Sequence, residues 1–385
     1  MKDIKHIETK TLHAGIEPDP STGAIMTPIF QTSTYVQNAP GDHKGYEYSR
    51  TQNPTRDVLQ KNIAALEKMN HGLCFSTGMG AVDACIKLLS PGDEVVATND
   101  LYGGSYRIFT TVFAKMGIVF RFVDMSNLDE VESAINDKTK MVWVETPTNP
   151  LLRIIDIEKV AALGHKVNAT VVVDNTFCSP YLQNPVDFGA DIVMHSATKY
   201  INGHSDVVMG ILCTNSDELN ERLAFIQNTC GATPGPMDSF LVLRGIKTLH
   251  IRMKQHCENG KLVAEFLKNH PKVEDVYWPG FKDHKNHDIA AKQMRDFGGM
   301  ISFTMKGDNM EDAFTVLKNT SIFALAESLG GVESLIGHPA SMTHGAIPRE
   351  ERLKNGLKDS LIRLSVGIEH HEDIINDLAF ALDQI

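Results

Sequence analysis

Two stretches decide the fold: Val171-Val172-Val173-Asp174-Asn175-Thr176 and Ile192-Val193-Met194-His195-Ser196-Ala197-Thr198-Lys199. Each is a short apolar run that gives way at once to polar and ionisable residues. A strand buried on both faces reads as a continuous Val/Ile run, whereas a half-exposed strand alternates. The same unit recurs upstream at 72–75, 94–98, 119–123 and 141–144, and the two quoted runs supply strands at 170–173 and 192–194. Helical spacing fills the intervals; the first example is Val58, Leu59, Ile63, Leu66 and Met69. Strands alternating with amphipathic helices predict the α/β class, with a mostly parallel sheet covered on both faces.

The repeating unit stops at Gly231-Ala232-Thr233-Pro234-Gly235-Pro236. A helical pattern follows over 248–269, then short apolar runs such as 300–305, and a final helix from about Glu372. This mixture predicts a smaller α+β domain. Residues 1–57 look irregular, with Pro18, Pro20, Pro28, Pro40 and Pro54 set among polar turns. So long a segment without an element suits an arm that packs on another subunit. The expected organisation is an arm over 1–57, a large domain over 58–245 and a small domain over 246–385. At roughly 150 residues per domain, 385 residues agree with that division.

Composition narrows the function classes. Apolar residues make up 42% and charged residues 22%, which excludes a disordered chain or a collagen-like fibre. The formal charge is 37 minus 48, or −11, which argues against nucleic acid or an anionic membrane as main partner. It leaves room for an anionic cofactor, because a phosphate is held by local dipoles. No basic start with an apolar core marks a secretory signal, and no run is long enough to span a membrane. The six cysteines contain no CxxC pair and are expected to be buried thiols in a cytoplasmic protein. Among the sixteen histidines, the pairs His284/His287, His338/His344 and His370/His371 match no metal signature, so no metal is expected.

In an open parallel sheet, ligands bind beyond the carboxyl ends of the strands. Those ends carry Ser76-Thr77-Gly78-Met79-Gly80, Asn99-Asp100-Leu101-Tyr102-Gly103-Gly104, Glu145-Thr146-Pro147-Thr148-Asn149-Pro150, Asp174-Asn175-Thr176 and His195-Ser196-Ala197-Thr198-Lys199. The Gly78-Met79-Gly80 turn leads into a helix expected over 81–89, and with Ser196 and Thr198 it makes a phosphate cup. No GKS or GKT follows, so it is not a Walker loop, and GxGxxG is incomplete. A carboxylate, a lysine and a phosphate cup on one sheet edge fit pyridoxal 5'-phosphate: Lys199 for the Schiff base, Asp174 for the pyridine nitrogen, Tyr102 for the ring face. A lysine that snorkels to solvent and an aspartate that caps a helix would give the same spacing.

Further motifs separate these readings. Ser196-Ala197-Thr198-Lys199-Tyr200-Ile201-Asn202-Gly203-His204-Ser205-Asp206 resembles the cofactor-lysine motif of the Cys/Met-metabolism family of pyridoxal-phosphate enzymes. Tyr48-Ser49-Arg50 with Asn53-Pro54-Thr55, Tyr102-Gly103-Gly104, residues 145–150 and 173–176, Ala326-Glu327-Ser328-Leu329-Gly330-Gly331 and Leu361-Ile362-Arg363-Leu364-Ser365-Val366-Gly367-Ile368-Glu369 extend the resemblance in family order. It implies the fold-type I transferase fold and a transsulfuration activity. By that resemblance Lys199 carries the cofactor and moves protons, Asp174 pairs with the pyridinium, and Tyr102 stacks on the ring. The amides of Gly78 and Met79, with Ser196 and Thr198, hold the phosphate. Tyr48 and Arg50 reach the phosphate of a neighbouring subunit, within a homotetramer built from two such dimers. Arg363 clamps the carboxylate of an amino-acid substrate beside Ser328 and Asn149.

Among activities, a cystathionine γ-lyase is expected first, a γ-synthase second and a β-lyase third. Glu327 resembles the γ-acting members and would attract the second amino-acid head of cystathionine. Gly104 stands where methionine γ-lyases usually carry cysteine, and Gln52 replaces a glycine common before Asn-Pro-Thr. His204 is expected to support its loop rather than react. A nucleotide-binding oxidoreductase would also use a parallel sheet, but the glycine fingerprint it needs is incomplete.

Overall fold

A computed structural model describes residues 4–345 and 348–385. Seven strands form the larger sheet: β1 (His71–Phe75), β2 (Glu94–Thr98), β3 (Val119–Val123), β4 (Thr139–Glu145), β5 (Thr170–Asp174), β6 (Ile192–Ser196) and β7 (Gly210–Thr214), in the order β1-β7-β6-β5-β4-β2-β3. β2 pairs in parallel with β3 and β4, β4 with β5, and β5 with β6. β7 runs antiparallel to both β1 and β6. The sheet is therefore mixed, and β7 is absent from the strands expected above. Its first residue explains the omission: Gly210 weakens a strand signal. That glycine is needed, because a Cβ there would lie 2.2 Å from the carbonyl oxygen of Thr77.

Strand residues alternate between two cores. Val142, Val144, Val171, Val173 and Val193 pack against Leu59, Ile63, Ile157, Val160 and Val242. Trp143, Val172, Ile192 and Met194 pack against Ala81, Val82, Ile86, Phe109 and Leu223 on the other face. Helices thus cover both sides, as the unbroken apolar runs require.

Helix starts differ from expectation by a few residues. Helix α1 (Ile7–His13) lies inside the segment read as irregular. Helix α2 (Pro54–Leu66) begins before residue 58, because Asn53 caps it by accepting from Thr55 N at 3.0 Å and Arg56 N at 3.4 Å, with Pro54 at its first position. Helix α3 (Gly78–Ile86) starts three residues earlier than expected, capped by Thr77. Helix α4 (Gly103–Ile108) follows Tyr102.

The second sheet runs β10-β11-β12-β9-β8, from β8 (Val273–Tyr277), β9 (Met300–Met305), β10 (Ala324–Leu325), β11 (Leu335–Gly337) and β12 (Ile362–Ser365). Ile301, Phe303, Ile362 and Leu364 pack with Val263, Val316 and Leu378 from helices Leu249–Lys268, Met310–Asn319 and His371–Asp383. Alternation on β12 then turns Arg363 away from this core. Five cysteines are buried, but Cys230 is exposed, against expectation, because it ends the surface helix Asp217–Cys230. Among the described residues, no helix is long and apolar enough to cross a membrane, and no group of three or more His, Cys, Asp or Glu could hold a metal.

Candidate active site at the strand ends

One cavity of about 920 Å³, counted to its mouth, opens at the carboxyl ends of β4, β5 and β6. Gly78, Met79, Tyr102, Asn149, Asp174, Ser196, Thr198, Lys199, Glu327, Ser328 and Arg363 all line it. Eleven expected residues from seven segments of chain thus meet in one place.

The floor is electrostatic. Asp174 is 7% exposed and accepts from Thr176 N at 3.0 Å and Thr176 Oγ1 at 2.5 Å. The same Thr176 hydroxyl oxygen accepts the Ser196 N–H at 2.9 Å, tying β5 to β6. Burial pushes the Asp174 carboxyl up from its ordinary value, and the bonds from Thr176 oppose that shift. Glu145 sits opposite Asp174 in the sheet register and lies well above its ordinary value, through burial first and Asp174's charge second. Its carboxylate accepts the Tyr102 backbone N–H at 2.9 Å, which fixes the start of α4.

Lys199 leaves the turn after β6 and donates from Nζ to Ser328 Oγ at 2.7 Å. Burial, and then the charge of Arg363, lowers its amine to about 8, against 10.5 for an ordinary lysine. Arg363 donates to Asn149 Oδ1 at 2.9 Å and to the Ser328 carbonyl at 3.1 Å. Burial lowers it to about 10, so it stays protonated at neutral pH, and Glu327 opposes the shift. Ser328 takes φ 105°, an unusual backbone for a serine, while serving both Lys199 and Arg363. Glu327 is exposed at the rim, and its charge also raises the phenol of Tyr102, second to burial.

At the start of α3 the first amides of the helix lack intrahelical partners. Thr77 Oγ1 accepts from Gly80 N at 2.8 Å, which leaves the Gly78 and Met79 amides for an anion. A Cβ at Gly78 would meet Ser196 Oγ at 3.0 Å, so glycine keeps this cradle open. Thr198 lines the cavity while its Oγ1 accepts from Met209 N at 3.0 Å. An anion cradle, a buried carboxylate with no bonded cation and a lysine that is partly neutral match the phosphate, ring nitrogen and aldehyde of pyridoxal 5'-phosphate.

Tyr48 and Arg50 do not line this chain's own cavity. Both are exposed, with the Arg50 guanidinium 5.6 Å from the Tyr48 ring centre and Nε donating to Asn228 Oδ1 at 3.2 Å. His204 bonds the Asn202 carbonyl through Nδ1 at 2.8 Å and braces its loop. Sequence reasoning put Thr77, Glu145 and Thr176 at the sheet edge without a role and missed Thr343; all four are on the cavity wall. A buried acid closing an apolar strand was the available signal for Glu145.

Residues 8–383 match the family described as Cys/Met metabolism PLP-dependent enzyme. A cystathionine γ-lyase of Dictyostelium discoideum is 52% identical over 379 residues, covering 98% of both chains. A cystathionine β-lyase of Coxiella burnetii is equally similar, 52% over 379 residues and 98% of both chains. The crystal structure of cystathionine γ-synthase from Xanthomonas oryzae pv. oryzae in complex with aminoacrylate and cysteine superposes with a TM-score of 0.96 at 44% identity, covering 99% of this chain and 98% of that one. The fold is accordingly that of fold-type I, and pyridoxal 5'-phosphate is the cofactor. This chain belongs to the Cys/Met metabolism family of PLP-dependent enzymes.

Proposed function

We propose that the enzyme cleaves the Cγ–S bond of L-cystathionine by γ-elimination, giving cysteine, 2-oxobutanoate and ammonia with uptake of one water. The observation that carries this reading is Glu327 at the cavity rim, where its charge reaches Arg363, Lys199 and Tyr102. Cystathionine has two amino-acid heads. Arg363 would hold the carboxylate of one, and Glu327 would attract the ammonium of the other.

Bound pyridoxal phosphate withdraws electrons from the substrate Cα, which makes its proton acidic. Asp174 would face the ring nitrogen with a carboxylate and keep a proton on it. Tyr102 would cover one face of the ring, and the Gly78 and Met79 amides with Ser196 and Thr198 would hold the phosphate. Lys199 would hold the aldehyde carbon, and its amine would take the proton from the substrate Cα. Loss of a γ-substituent requires a second proton to leave Cβ, and the same mobile amine would serve for it. General acid–base help of this kind is worth about 10²–10⁴-fold in rate. Asn149 and Ser328 steady Arg363, so the substrate is held by a planar two-pronged donor.

The arm over 1–57, the large domain over 58–245 and the small domain over 246–385 are proposed as the working units. The arm would complete a neighbour's site through Tyr48 and Arg50 in a cytoplasmic homotetramer. Incubation with L-cystathionine alone tests the reaction. 2-Oxobutanoate with cysteine is expected; pyruvate with homocysteine would make the enzyme a β-lyase. No cleavage, with turnover of an O-acylhomoserine and cysteine, would make it a γ-synthase.

A further inference from the structure

Behind the cofactor face lies a group of buried polar side chains that the chemistry above leaves unused. β5 and β6 are paired with Asp174 opposite Met194. Side-chain alternation puts Asp174 and Met194 on the cavity face and His195 on the reverse face with Val193 and Val173. Just past α2, Glu67 is wholly buried on that reverse side. Its carboxylate lies 2.5 Å from His195 Nε2, and both side chains are 0% exposed. It also accepts from Asn175 Nδ2 at 3.0 Å and Asn184 Nδ2 at 3.1 Å.

Burying a carboxylate costs several kcal/mol unless it is paired and hydrogen-bonded. An apolar residue would fill this place between Leu66 and the valines of β5 and β6 at lower cost. The partners indicate what the cost secures. Asn175 follows Asp174, and His195 precedes Ser196. One carboxylate therefore grips, from behind, the two strand ends whose adjoining residues front the cofactor. In front, Thr176 joins the same strand ends through Asp174 and the Ser196 amide. His195 also bears on Asp174 directly: its charge opposes the upward push of burial, behind the bonds from Thr176. His195 Nδ1 is buried with no hydrogen-bond partner among the described residues.

We propose that Glu67 and His195 are a positioning pair that, from the reverse face of the sheet, fixes Asp174 and keeps its carboxylate opposite the cofactor's ring nitrogen. The proposal rests on the assignment of Asp174 above and is independent of which leaving group the enzyme accepts. Glu67 reaches Asp174 through Asn175 and through His195, the residues that adjoin the two strand ends. Removing the charge of that carboxylate loosens both bonds and, with them, the position of Asp174. Other groups near the pair are the thiols of Cys178 and Cys213, both pushed up by burial and by Glu67, and Arg295, which bonds Asn184.

The test uses purified holoenzyme with Glu67→Gln, which keeps size and removes charge, and with His195→Gln and His195→Asn. Cofactor content and melting temperature establish that each variant is folded and loaded. The readouts are the rate of Cα-proton exchange of L-alanine in D2O, its apparent affinity, and the pH profile of the visible absorbance. All three variants are expected to stay loaded, to exchange about tenfold or more slowly with affinity within about threefold, and to show a displaced absorbance midpoint. Combining Glu67→Gln with His195→Gln is expected to add little, since the two act as a unit. Loaded variants with wild-type exchange and an unmoved profile would overturn the proposal, as would a rate loss fully restored by excess pyridoxal phosphate. If the wild type exchanges the alanine proton yet leaves cystathionine intact, the substrate assignment fails and this one stands. Wild-type exchange in the variants alongside normal cystathionine cleavage sinks this one alone.

Discussion

Lys199 carries the clearest consequence at the scale of a single residue. With its amine lowered to about 8, about a tenth is neutral at pH 7, against fewer than one in a thousand for an ordinary lysine. The neutral form is the nucleophile, so its fraction grows as pH rises through 8. Apoprotein mixed with pyridoxal phosphate should regain visible absorbance faster as pH rises, with a midpoint near 8; a midpoint above 10 would show that burial does not depress the amine. Arg363 makes a second prediction. Arg363→Lys keeps a charge but loses the two-pronged geometry toward Asn149 and Ser328. KM for the amino-acid substrate should rise about tenfold or more with the cofactor still bound. Asp174 and Lys199 were legible in the sequence because an ionised group closing an apolar strand is conspicuous. Thr176 was not, because its part lies in a hydrogen bond across two strands, and such a contact leaves no mark on spacing.

At the scale of elements, the phosphate cup depends on where α3 begins. The expected start at residue 81 would have put Gly78 and Met79 in a loop; the Thr77 cap brings their amides into the first turn. Thr77→Ala should cost about 1 kcal/mol of stability, read by thermal unfolding, and should weaken retention of the cofactor. β7 gives a sharper case. Its close approach to the Thr77 carbonyl means that Gly210→Ala drives a methyl group into the Thr77 backbone. Little soluble protein is expected from that variant, and normal expression with normal cofactor content would contradict the packing described. Alternation explains which elements the sequence disclosed. Strands β2, β4, β5 and β6 were readable because both their faces are buried. β7, which opens on a glycine after the lysine loop, and α1, only seven residues long, gave too little pattern.

For the whole molecule, the arm is the open structural question. Tyr48 and Arg50 sit outside this chain's own cavity, and Ile25 and Val36 in the same arm are 82% and 93% exposed. Apolar side chains so exposed are suited to burial against another copy. Mixing inactive Lys199→Ala and Arg50→Ala subunits tests whether sites are shared. Random pairing within dimers should restore about a quarter of wild-type activity, because half the pairs are mixed and each mixed pair rebuilds one site. No restoration, despite exchange of subunits, would confine each site to one chain. Large and small sheets, by contrast, were foreseeable from the change of pattern near Gly231.

The site as a whole stands on one residue. Borohydride reduction of the holoenzyme, followed by peptide mapping, identifies the side chain that holds the cofactor. A pyridoxyl group on Lys199, and loss of that label in Lys199→Ala, is the predicted result. Label on a different lysine of the folded wild type would contradict the site described here and every role assigned around it.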